Sequence, residues 1–226
     1  MAISFIGQAS DGGTGTAISI THGLTILEDD VIVCCIGADG SGTTCVDNNG
    51  ANSFTEEYDG APSGNTMSAK VYSRIAGASE PASYAFTLSV SEGFSAMLFQ
   101  FRGVDLVNLW DVDPTTTTWA ANLSDVTPLT AASMSTTVDN AEGICFICAD
   151  SGSATFASID NSYLNENEPN GGLRCATWRK NWTTAGATGV ITAIPSAAKK
   201  YIGCQMALKP STVSNIIIEV ATGPWR

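Results

Sequence analysis

Histidine is nearly absent from this chain: His22 is the only one among 226 residues. A Cys–His or Ser–His–Asp set therefore has one candidate base, and it stands in Thr21-His22-Gly23, where a turn is expected. Cations are scarce too. Ten Lys and Arg face 22 Asp and Glu, a formal net charge of −12. That field repels nucleic acid and anionic membrane, and the cations are scattered, so neither partner is expected. Charged residues make up only 14% of the chain and hydrophobic ones 44%, which excludes a disordered polymer. No apolar run reaches membrane-spanning length. The opening Met1-Ala2-Ile3-Ser4-Phe5-Ile6-Gly7 has neither a basic leader nor a long apolar one, so a soluble protein made in a cytoplasm is expected.

Other signatures are missing. There is no P-loop, no G-x-S-x-G elbow, and no G-x-G-x-x-G in a βαβ setting. Gly12-Gly13-Thr14-Gly15 has no lysine beside it. Cys145 and Cys148 form one C-x-x-C with no second pair, and they sit in mid-strand, which argues against zinc and against redox chemistry. Most of the seven cysteines lie inside apolar alternating runs and read as small buried hydrophobes in strands. Acidic pairs occur at Glu28-Asp29-Asp30, Glu56-Glu57, Asp111 with Asp113, and Glu166 with Glu168; each reads as solvated loop charge. The Asp-Gly loops offer oxygen ligands but lack EF-hand or nonapeptide spacing. No cofactor, no metal and no catalytic residues are expected.

Short apolar runs remain, recurring every 8–15 residues with Gly, Asn, Asp or Pro between them, and no helical period. They predict an all-β fold, an antiparallel sandwich of jelly-roll type over residues 1–210. Expected strands include Ala2–Ile6, Ala17–Thr21, Val31–Gly37, Met67–Ile75, Tyr84–Val90, Ser95–Arg102, Gly143–Asp150, Leu173–Arg179 and Tyr201–Leu208. The halves look alike: Val33–Asp39 parallels Ile144–Asp150, and Met97–Arg102 parallels Ile202–Ala207, aligning Gln100 with Gln205. Asp105–Leu129 reads as a long loop crossing between the halves, flanked by Trp110 and Trp119 as candidate contact residues. Trp178 alternates within a strand and is assigned to the core.

Beyond Pro210 the pattern changes. Residues 211–226 read as an extended C-terminal arm carrying Ile216, Ile217, Ile218, Val220 and Trp225. Three adjacent isoleucines suit a strand buried on both faces, in its own sheet or on a neighbouring chain.

The run Val71-Tyr72-Ser73-Arg74-Ile75-Ala76-Gly77-Ala78-Ser79-Glu80-Pro81-Ala82-Ser83-Tyr84-Ala85-Phe86-Thr87 resembles the most recognisable stretch of a group of tailed-bacteriophage virion proteins. Met1–Gly7, Phe101-Arg102-Gly103-Val104-Asp105 and Ala207-Leu208-Lys209-Pro210 are similar to that group as well, and the likeness spans about residues 2–210. It implies a jelly-roll-like sandwich on a phage particle, with no catalytic residues to carry over. Ser73 departs from it, since a second aromatic usually stands there; the arm lies outside it. With the compact domain, the acidic surface and the apolar arm, a capsid decoration or cement protein on the virion surface, bound to the major capsid protein, is expected. The resemblance implies a homotrimer, and a glycan-binding module of the tail fibres is the alternative.

Overall fold

The computed structural model describes residues 2–61, 66–114, 119–150, 155–159, 164–167 and 173–212. The arm residues Ile216, Ile217, Ile218, Val220 and Trp225 lie outside the described residues. The first half contains β1 (Ser4–Thr21), β2 (Val31–Asp39), β3 (Cys45–Asp47), β4 (Thr55–Gly60), β5 (Met67–Ile75) and β6 (Ser83–Arg102). The second contains β7 (Trp110–Val112), β8 (Trp119–Val126), β9 (Leu129–Ala131), β10 (Ser135–Thr136), β11 (Ala141–Ala149), β12 (Phe156–Ile159), β13 (Leu164–Asn167), β14 (Arg174–Trp182), β15 (Gly186–Ala187), β16 (Ile191–Pro195) and β17 (Lys199–Leu208).

Each half of the chain builds one six-stranded antiparallel sheet, and the second half adds the small sheets β10-β15 and β12-β16-β9. The first runs β1-β6-β2-β5-β4, and the second β13-β14-β11-β17 with β7 and β8 both on the far side of β17. The strand order is the same in both: β2, β5, β4 and β6 occupy the places of β11, β14, β13 and β17. The repetition expected from sequence is therefore present in the topology. Its register differs by two residues, because Val33 faces Phe99 whereas Ile144 faces Met206, not Cys204. A shift of two preserves the alternation of faces, so equivalent side chains still point inward. Because one sheet is complete before the other begins, the connectivity establishes a sandwich without the interleaved strands of a jelly roll.

The two sheets meet on a shared core: Val31, Val33, Cys35, Val71, Phe99 and Phe101 from one, Ile144, Phe146, Ile202, Met206 and Leu208 from the other. Their outer faces are covered as well. β1 and β6 form one long ribbon that shifts register between Gly15 and Ala17, and its far part lays Ile18, Ile20, Tyr84 and Phe86 over Ile32, Cys34 and Ile36. On the second sheet, β9 and β16 lay Leu129, Ala131, Ile191 and Ala193 over Cys145, Ile147 and Trp178. Strands covered on both faces bury consecutive residues, which is why β2 opens with eight buried positions and β11 has nine. Fully burying one Ile or Phe stabilises by about 1.5–3 kcal/mol, so these layers hold the fold together.

Several expectations need correction. Asp11-Gly12-Gly13 is paired strand, not a turn, and the runs Ala2–Ile6 and Ala17–Thr21 belong to one strand. Gly13 leaves room for the Phe94 ring, which an added Cβ would meet at 3.6 Å. Likewise Tyr84–Val90 and Ser95–Arg102 are one strand. Asp105–Leu129 is not a plain loop, because edge pairing with β17 draws β7 and β8 into the second sheet despite their local composition. Two of the seven cysteines are not free: Cys148 and Cys175 face each other across β11 and β14 and form a disulfide. The other five are buried thiols. Ser73 is buried and donates a hydrogen bond to Glu57 in place of an aromatic contact.

The stretch Val71–Thr87 has a physical logic. Glu80 Oε1 accepts hydrogen bonds from Arg74 at 2.8 Å and from the Gly77 amide at 2.7 Å, and Tyr84 Oη donates to Glu80 Oε2 at 2.6 Å. One carboxylate thus closes the connection between β5 and β6.

The two sheets approach closely at Gly37, where an added Cβ would land on both sulfurs of the disulfide and lie 2.8 Å from Leu173 Cδ2. Gly37→Ala is therefore expected to destabilise the fold by about 1–3 kcal/mol, read from urea unfolding. Gly42→Ala, which meets open space, serves as the control. Equal midpoints for the two variants would contradict this packing.

Candidate functional site

At one end of the sandwich a groove of about 660 Å³ lies between the 27–30 loop, the 102–107 turn and residues 211–212. One wall is organised by a single buried carboxylate, Asp30. Asp30 Oδ1 accepts from Arg102 Nε at 2.7 Å and Oδ2 accepts from Arg102 Nη2 at 2.8 Å, a bidentate pair. Oδ2 also accepts from Gln100 Nε2 at 2.6 Å and from the Leu27 amide at 2.9 Å. Burial, the largest single influence, pushes the Asp30 carboxyl up, but the donors and the Arg102 charge together hold it below its ordinary value. Asp29, at φ 69°, turns the chain above it, and Ala76 closes the turn through hydrogen bonds with Asp29 and Asp30.

The opposite wall begins where β6 ends. Gly103, at φ 83°, turns the chain away from the sheet. Val104 bridges to Pro210, and the Ser211 amide donates to the Gly103 carbonyl at 2.8 Å. Asp105 Oδ1 accepts from the Val107 and Asn108 amides at 3.0 and 3.2 Å, and Lys209 Nζ lies 3.3 Å from Oδ2. These backbone donors, with Lys209, hold the Asp105 carboxyl below its usual range. The same turn projects Val107 into solvent at 88% exposure, beside exposed Leu106; Leu27 is exposed across the groove. Three apolar side chains converge on one groove with Glu28, Asp29 and Asp105 at its rim. The arrangement suits an apolar protein segment, since it offers apolar surface on a firmly held frame.

The residues singled out from sequence lie elsewhere. Trp110 is half-buried and packs on the central core. Trp119 stacks on Tyr58 at 4.4 Å between centroids and meets the Phe146 ring edge-on at 6.2 Å. Both rings pack on the core that joins the two sheets. Trp178 is in the core, as its alternation indicated. His22 stacks on Tyr84 at 5.2 Å beside a second depression, and neither of its ring nitrogens has a hydrogen-bond partner. Among the acidic pairs, Asp30 binds Arg102, Glu57 accepts from Ser73, and Asp111 accepts from Thr137, so they serve three different joints. Among the described residues, no group of three or more His, Cys, Asp or Glu could hold a metal ion.

Burial holds the free thiols protonated: Cys45 is pushed up to about 11, and Cys34, Cys35, Cys145 and Cys204 higher still. Lys70 was not legible as special, yet it is fully buried. Its ammonium donates to the Thr43 carbonyl and Ser68 Oγ, both at 2.6 Å, and pairs with Asp59 at 3.1 Å. Burial pushes its pKa down and Asp59 opposes this. With three acceptors met, it ties the 43–45 segment to β5.

Compared with known proteins, the chain matches no family model, no curated protein and no solved structure.

Because the folded carboxyl of Asp30 is more acidic than the unfolded one, its stabilisation is complete at neutral pH and fades as pH falls below about 4. Asp30→Asn should therefore cost about 1–3 kcal/mol at pH 7, with the gap from wild type narrowing near pH 3. Urea unfolding at both pH values checks this; a gap independent of pH would contradict it.

Proposed function

We propose that this chain is a structural protein of a bacteriophage particle, a decoration or cement protein that binds between capsid subunits and reinforces the head. The observation that carries the reading is the apolar groove of Leu27, Leu106 and Val107, held on a frame of ion pairs and backbone bridges. Such a surface serves contact with another chain. The resemblance of Val71–Thr87 to virion proteins is what suggests a particle, and the charge of −12 suits a surface that stays soluble until it meets its lattice. Repetition over many lattice sites multiplies modest single contacts into firm attachment. The partners in this reading are the major capsid protein and further copies of the chain, as a homotrimer.

The glycan-binding alternative drew on Trp110 and Trp119 as a stacking platform. With Trp119 stacked on Tyr58 and Trp110 packed on the core, the first reading is favoured.

Heads assembled with and without the protein test the proposal. Cosedimentation with heads and a higher temperature of head disruption are expected. Failure to cosediment, or labelling confined to the tail, would overturn it.

A further inference from the structure

The buried pair of Lys70 and Asp59 takes no part in the groove, and it brings a nucleophile against an electrophile. Asp59 on β4 and Lys70 on β5 stand opposite each other in the ladder. Opposed residues on one face bring their Cβ atoms about 4.5–5.5 Å apart. β4 lies at the edge of the first sheet, so this pair joins an edge strand to its neighbour. Lys70 Nζ is held in one place: it donates to the Thr43 carbonyl and to Ser68 Oγ, both at 2.6 Å, and lies 3.1 Å from Asp59 Oδ1. The Lys70 side chain has no exposed surface, and that of Asp59 has 13%. The second carboxylate oxygen, Oδ2, accepts from the Cys45 amide at 3.2 Å. An amine and a carboxyl therefore meet largely out of water, with a backbone donor behind the carboxyl.

We infer that Lys70 and Asp59 condense in the folded protein into an isopeptide bond between Nζ and Cγ. A proton first passes from Nζ to Oδ1 along their contact, leaving a neutral amine and a neutral carboxylic acid. A neutral pair is easier to hold out of water than two charges. Burial pushes the Lys70 pKa down, with Asp59 opposing, which favours the free amine. The amine lone pair then attacks Cγ, forming the N–C bond and moving the carbonyl electron pair onto Oδ2. The Cys45 amide already faces that oxygen and stabilises its charge. A proton from the nitrogen joins the Oδ1 hydroxyl, the C–O bond breaks, and water leaves as the amide C=O forms. One ammonium and one carboxylate enter; one amide and one water result, with no further reactant. The exposed edge of Asp59 gives the water an exit. In free solution water keeps both partners ionised and apart. Fixed orientation supplies effective concentrations of ~10⁵–10⁸ M, and the neutral product removes a buried charge pair whose desolvation opposes folding. This inference is independent of the capsid role: it concerns how the edge strand is fastened.

The test is the intact mass of the full-length protein, purified folded, then reduced and denatured. Reduction opens the Cys148–Cys175 disulfide, so that bond leaves no deficit. The expected mass is one water below that of the sequence. Trypsin locates the loss. Lys70 is the first Lys or Arg of the chain and Arg74 the second, so an amidated Lys70 resists cleavage and the N-terminal fragment ends at Arg74. Lys70→Arg keeps a cation beside Asp59 but lacks the nucleophilic amine, and it should recover the full sequence mass. Asp59→Ala should do the same and restore cleavage after Lys70. The wild-type mass decides the matter even where a variant fails to fold. Full sequence mass in the wild type, with cleavage after Lys70, would overturn the inference. So would a missing water that persists in Lys70→Arg, since a succinimide at an Asp-Gly step such as Asp59-Gly60 loses water without the lysine.

Discussion

The structure depends on burial of both faces of β2 and β11. Their hydrogen bonds run to neighbours on either side, and their side chains enter the shared core in one direction and a covering layer in the other. A strand in that position has no solvent-exposed face to carry polar residues, so it reads as a continuous apolar run. Everything else follows as cover. The bent β1–β6 ribbon closes over one outer face, and β9 and β16 close over the other. Gln100 and Gln205 fasten these layers: Gln100 Nε2 donates to the Thr25 carbonyl at 3.0 Å, and Gln205 Nε2 to the Ala132 and Gly189 carbonyls, both at 2.8 Å.

That layering also sets where contact surface can exist. Broad faces are already covered, and three exposed apolar side chains, Leu27, Leu106 and Val107, line one groove at an end of the body. Asp30 organises that end from within, joining β2, β6 and the 27–30 loop through four hydrogen bonds. The exposure of Val107 follows from the Asx turn at Asp105, which Lys209 anchors to the last described strand region. The groove is thus a product of the fold's closure, and it combines rigid walls with an apolar opening.

Much of the architecture was legible in the residues. Alternation and Asx-Gly punctuation mark most strands, and Met67–Ile75 has the expected bounds. The likeness between the halves appears as matching strand order. What local pattern does not carry is pairing at a distance. Asp11-Gly12-Gly13 has turn chemistry, yet its ladder with β6 keeps it extended. Trp110–Val112 and Trp119–Val126 become strands because β17 offers an open edge. Cys148 and Cys175 are 27 residues apart, and only the β11–β14 register brings them together. The groove escaped notice for a similar reason. Its apolar members, Leu27, Leu106 and Val107, come from two segments joined through Asp30, Gln100 and Arg102, and no spacing rule links them. The aromatic signal instead drew attention to Trp110 and Trp119, whose rings pack against the core.

The most direct measurement is an electron cryomicroscopy map of assembled particles at side-chain resolution. The account predicts the chain on the head surface, with another protein chain covering Leu27, Leu106 and Val107. A groove left bare in the assembled particle, or the chain placed on the tail, would contradict it.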